Sequence, residues 1–102
     1  MKRSDARNCK TLADVRREID TIDRELMQLV AERSTFVRRA AELKARREDI
    51  LDPARIEAVV AEVKREAESK GINAEVAAEA FRAMIDRFVA YEFREFDRKK
   101  GG

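Results

Sequence analysis

Arg33 and Lys44 stand eleven residues apart in the 102-residue chain. That is about three helical turns, so both fall on one helix face with about 16 Å of axis between their α-carbons. Two long cationic side chains leaning toward each other across that gap can bracket an anion of small-metabolite size. Arg16 lies seventeen residues before Arg33, about 25 Å back along a helix, and cannot reach the same ligand from its own chain. Glu92, four residues after Phe88 and eleven after Phe81, shares an apolar helix face with them. A carboxyl there either keeps its proton or meets a cation. His is absent and Cys occurs once, which removes zinc sites and His-based triads from consideration. Any catalysis must run on Arg, Lys, carboxylates and hydroxyls, and neither metal nor cofactor is expected.

The element that must position these cations is a long amphipathic helix predicted from Leu12 to about Arg47, a stretch with no Pro and no Gly. Leu12, Val15, Ile19, Ile22, Leu26, Leu29, Phe36, Ala40 and Leu43 recur at alternating three- and four-residue steps, the seam of a helix packed along its whole length. Arg33 interrupts that seam, and a cation in an apolar stripe is costly unless an anion meets it. Thr11 with Asp14 reads as a capping box opening the helix. Asp52-Pro53 is a helix-start signal, so a second helix is predicted from Pro53 to about Ser69, ended by Lys70-Gly71. Asn73 caps a third, from Ala74 to about Asp97, whose apolar face carries Phe81, Met84, Ile85, Phe88, Val89 and Phe96. Residues 1–10 are expected to be a flexible segment, 11–98 the helical domain, and 99–102 a tail. The expected fold is all-α, with one long and two shorter helices.

A helix of some 36 residues is roughly 54 Å long, whereas a compact domain of this size spans only about 35 Å. The first helix must therefore outrun its own domain, and the simplest cover for the rest of its seam is a second copy in a two-fold dimer. With the dyad near Met27, residue 16 of an antiparallel copy sits opposite residue 38, between Arg33 and Lys44. Arg55, on the first turn of the second helix, can fold back over the same cavity. Plainer roles fit the same spacings: Arg33 paired with Asp or Glu, Arg16 and Lys44 solvated, Glu92 a rim residue or an arginine's partner.

Composition narrows the rest. Lys plus Arg is 23 against 21 for Asp plus Glu, and the two signs interleave on nearly every turn, which argues against a nucleic-acid face. No apolar run reaches the length of a membrane span and no signal-peptide pattern opens the chain. The lone Cys fits a reducing cytoplasm.

The run Leu12, Arg16, Ile19-Asp20, Ile22-Asp23, Leu26, Leu29, Glu32-Arg33 and Lys44, continuing through Asp52 and Arg55 to Phe81 and Ile85, resembles the all-helical (type II) chorismate mutases over about residues 9–97. The resemblance implies an intertwined homodimer of three-helix chains with two active sites. In each, Arg16 comes from the partner chain and Arg33 and Lys44 from the same chain. It further implies a cofactor-free pericyclic rearrangement of chorismate, a dicarboxylate, to prephenate. Arg16 and Arg33 would bind carboxylates, and Lys44 the ether oxygen and a carboxylate. Asp52 and Arg55 would order the loop and the site wall. The substrate's own negative charges would then account for buried cations without a protein anion. Glu92 falls where many relatives have a Gln that donates to the ether oxygen.

Two departures stand out. The Glu that follows the second-helix Arg in the family is Ile56 here, and a Ser often found on the third helix corresponds to Phe88. Both resemble the isochorismate-pyruvate lyase branch of the same fold, which releases pyruvate and leaves salicylate. The stretch around Cys9 and Leu12-Ala13-Asp14 also looks like that branch, although its members have Gln at position 92. Three readings stay open: a mutase, a lyase, and a non-catalytic helical dimerisation module.

Overall fold

The computed structural model describes residues 5–101, with the side chains of the last two left aside. Among them the chain is helical with no strand: α1 (Leu12–Leu43), α2 (Pro53–Ser69) and α3 (Ala74–Gly101), with short 3-10 turns at Ala6–Asn8 and Arg47–Asp49. The part of the expected flexible segment at 1–4, like residue 102 of the expected tail, lies outside the described residues. Internal contacts divide the chain into Met1–Thr35 and Phe36–Gly102.

In the first unit, the Asp5 carboxylate accepts from the Arg7 backbone N–H at 2.9 Å and caps the 3-10 turn. This small turn has no periodic signature, and the sequence reading passes over it. The capping box forms as the residue types require: Thr11 Oγ1 accepts from Asp14 N–H at 3.0 Å, and Asp14 Oδ2 accepts from the N–H groups of Lys10 and Thr11 at 3.0 and 3.2 Å. The Lys10 bond is the chief reason the Asp14 carboxyl is held below its ordinary range. No residue of α1 is buried. Leu12, Ile19, Leu26, Met27 and Leu29 are all about half or more exposed, and Phe36 and Leu43 at the far end are exposed in the same way.

In the second unit, α2 and α3 fold back on each other as a helical hairpin whose buried apolar residues are Val60, Ala67, Ala78 and Ile85, with Ile50 from the preceding loop. Arg82 grips Glu57 with two bonds of 2.8 and 3.0 Å across the pair. Both ends of α2 and the start of α3 have local causes. Asp52 Oδ1 accepts from Arg55 N–H at 3.0 Å, with Pro53 in the first turn. At the C-terminus of α2, Ile72 N–H reaches Ala67 O at 2.8 Å and Gly71 N–H reaches Glu68 O at 3.2 Å. That is a Schellman ending, and it needs Gly71 at φ 73°. Asn73 Oδ1 then accepts from Glu75 and Val76 N–H to open α3. Nothing lies within 4 Å of a Cβ built on Gly71, so Gly71→Ala is expected to cost backbone strain alone, about 1 kcal/mol. Urea denaturation of the two proteins reads that difference.

Two helix boundaries differ from the sequence reading. The long helix ends at Leu43, not near Arg47, because side chains beyond it are drawn to α3 and to the buried Ile50 rather than to the next helical turn. The third helix runs past Asp97 to Gly101; no breaker stands there, and Arg98 pairs with Glu95 one turn back at 2.8 Å.

Candidate active site

Lys44 is the first residue past α1, its N–H still bonded to Ala40 O at 3.2 Å. From there its ammonium reaches α3 and donates to Glu92 Oε2 at 2.8 Å. It also donates to the Ile50 carbonyl at 3.4 Å. The Glu92 side chain is 10% exposed and that of Lys44 27%, so this ion pair is well sheltered from water; in the pairs Arg47–Asp97 and Arg82–Glu57 every side chain is more than 40% exposed. Here the structure corrects an expectation: Lys44 does have a protein anion, and the cation that meets Glu92 is a lysine rather than an arginine. Separated by 48 residues, the two groups could be matched only by the packing of the α1–α2 loop on α3. Removing either half of such a pair is costly, because the other is left sheltered from water without its counter-charge.

The other expected site residues occupy separate places. Asp52 is engaged in capping α2. Arg55 is exposed and borders an open, mainly apolar groove of about 540 Å³ between α2 and α3, with Val59, Val63, Ile72 and Phe81. Ile56 is half-buried beside Leu51, Ile85 and Val89 around a hollow of about 410 Å³. Phe88 is half-buried on α3, one turn before Glu92. In the first unit, Arg16 is exposed. Arg33 is half-buried with its Nη1 shielded from solvent.

Sequence reasoning passed over groups near Lys44 that the fold recruits. A cavity of about 420 Å³ on that side is lined by Arg38, Leu43, Lys44, Glu95, Phe96 and Lys99. Arg38 donates to the Tyr91 hydroxyl at 3.3 Å, and this bond is the main cause of its raised pKa. Arg47 bonds Asp97 and lies 4.6 Å over the Phe93 ring. Arg39 and Arg46 pair locally with Glu42 and Asp49, whereas Arg38 and Arg47 read as solvated because their partners are some fifty residues away. Only the chemistry of the α3 partners, Tyr91 and Asp97, could have pointed to them.

Three helices, with no strand among the described residues, define an all-helical protein. Residues 15–93 match the model of the chorismate mutase type II family, a stretch that contains Arg16, Arg33, Lys44, Asp52, Arg55, Ile56, Phe88 and Glu92. The chain belongs to that family. It is also similar to the isochorismate pyruvate lyase of Pseudomonas aeruginosa, with 31% identity over 94 residues, 92% of this chain and 93% of that protein. No helix among the described residues is long and apolar enough to cross a membrane.

Proposed function

We propose that the protein is a chorismate mutase that works as a homodimer and rearranges chorismate to prephenate without a cofactor. The observation that carries this reading is the Lys44 ammonium, sheltered and 2.8 Å from Glu92, within a stretch that matches the chorismate mutase type II model. In a pericyclic rearrangement no nucleophile or proton shuttle is required, which suits a chain without His. The protein's task is to hold the substrate in its reactive folded conformer and to meet the charge that develops on the breaking ether oxygen. In this reading Arg16 and Arg33 take the carboxylates and Lys44 takes the ether oxygen and a carboxylate. Asp52 and Arg55 order the loop and the wall, while Ile56 and Phe88 supply apolar surface beside the ring.

The dimer is supported by the exposure of the α1 seam. Leu12, Val15, Ile19, Leu26, Met27, Leu29, Phe36 and Leu43 are between 38% and 75% exposed. Covering even half of such a stripe is worth on the order of 10 kcal/mol before the costs of association. A second copy also provides Arg16, which the length of a helix denies to its own chain. Mixing tests this. Arg16→Ala and Lys44→Gln are each expected to be inactive alone. Unfolded and refolded together, they should recover about a quarter of wild-type turnover, because half the dimers are mixed and each mixed dimer has one intact site. Recovery of nothing beyond the sum of the two parents would dismiss the shared site.

One observation favours a second reading, isochorismate-pyruvate lyase: the 31% identity to the Pseudomonas aeruginosa protein of that name. Ile56 and Phe88 lean the same way. Incubation with chorismate and with isochorismate, with prephenate, salicylate and pyruvate quantified, decides between them. Prephenate from chorismate is expected as the main product. Salicylate with equal pyruvate from isochorismate, and no prephenate, would assign the lyase. Neither product would leave the helical dimerisation module.

A further inference from the structure

The loop between α1 and α2 is fastened to α3 at two places, of which the proposed site uses only one. The first is the Lys44 bond to Glu92. The second lies one turn further along: Arg47 Nε donates to Asp97 Oδ1 at 3.0 Å and Nη2 to Oδ2 at 3.4 Å. The same guanidinium rests 4.6 Å from the centre of the Phe93 ring. Arginine is suited to both contacts at once, because its flat fork matches a carboxylate while its face lies on an aromatic ring.

The loop's backbone links the two fastenings. The Arg47 carbonyl accepts from Ile50 N–H at 3.1 Å, and the Ile50 carbonyl accepts from the Lys44 ammonium at 3.4 Å. A displacement of Arg47 therefore moves Ile50 and, with it, one of the two acceptors that aim Lys44. Besides these, the buried side chain of Ile50 anchors the segment. Its 3-10 turn has three residues, and the Arg46 pairs with Glu48 and Asp49 stay within the loop and lie largely in solvent.

We propose that Arg47 and Asp97, with Phe93 beneath, form a clasp that fixes residues 44–50 on α3 and so sets where the Lys44 ammonium stands. Arg47 and Asp97 are thus positioning residues for the proposed reaction, an inference that rests on Lys44 being its cation. Their side chains are 57% and 53% exposed, and pairs so open to water add little to global stability. The clasp acts on the geometry of one loop. A cation displaced by an ångström from its working position loses much of its effect on the transition state.

The test has two readouts on the intact protein, wild type and Arg47→Ala, Asp97→Asn, the double variant Arg47→Ala with Asp97→Asn, and the exchanged pair Arg47→Asp with Asp97→Arg. Amide hydrogen exchange reads the clasp without any need for turnover. Residues 44–51 are expected to exchange about tenfold faster in each single variant, with α2 unchanged and the melting temperature within a few degrees. Steady-state kinetics with chorismate and isochorismate read the positioning. The kcat of each single variant is expected to fall about tenfold with KM changed less than threefold, the double variant to be no worse than either, and the exchanged pair to regain most of the loss. Unchanged exchange over 44–51 would overturn the clasp. Faster exchange with undiminished kcat would overturn its positioning role, as would losses that multiply in the double variant. If the wild type turns over neither substrate while the exchange pattern appears, the proposed function has failed and the clasp stands as a structural device.

Discussion

Lys44→Gln is expected to lower kcat/KM about a thousandfold while the protein still folds. A positive group aimed at an oxygen that becomes negative in the transition state is worth two to three orders of magnitude where water is largely excluded. Glutamine keeps a donor of similar reach and removes the charge. The substitution also leaves the sheltered Glu92 carboxylate, bonded to Lys44 at 2.8 Å in the wild type, without its counter-ion, at a cost of about 2 kcal/mol. Stability and catalysis can be separated by adding Glu92→Gln to Lys44→Gln. Two neutral amides hydrogen-bond to each other, so the double variant should regain most of the lost melting temperature and none of the activity. Retention of activity within tenfold in Lys44→Gln would remove Lys44 from the mechanism.

Glu92→Gln should act in the opposite direction. Glu92 occupies the Lys44 ammonium, so under the proposed function a dianionic substrate must compete with the protein's own carboxylate for that cation. Under the proposed function a carboxylate at this position also repels the ether oxygen as it gains charge, whereas the amide of Gln would donate to it. Glu92→Gln is therefore expected to exceed the wild type about tenfold in kcat/KM, an advantage of about 1.4 kcal/mol in the transition state. Substrate-free stability should decline slightly, since an amide binds the ammonium less strongly than a carboxylate does. Equal kcat/KM in the two proteins would show that Glu92 neither competes for Lys44 nor repels the substrate, leaving it a structural partner.

What could be read directly from the chain was local. Thr11 with Asp14, Asp52 with Pro53, Gly71 and Asn73 mark helix ends because each satisfies backbone groups within a few residues of itself. The helix starts fall at Leu12, Pro53 and Ala74, where those residues put them. The apolar spacing from Leu12 to Leu43 likewise identified one long helix whose seam its own chain leaves largely exposed.

The end of α1 was different. Residues 44–47 contain nothing that forbids a helix, and by propensity alone Ala45, Arg46 and Arg47 would continue one. They leave it because Lys44 finds Glu92, Arg47 finds Asp97 and Ile50 becomes buried, contacts that outweigh the few tenths of a kcal/mol per residue that helix propensity offers. Helix type, caps and the chemistry on offer were thus written in neighbouring residues, which interact whatever the rest of the chain does. Which cation meets which carboxylate was decided only by tertiary packing, since partners some fifty positions apart have no local term that selects them.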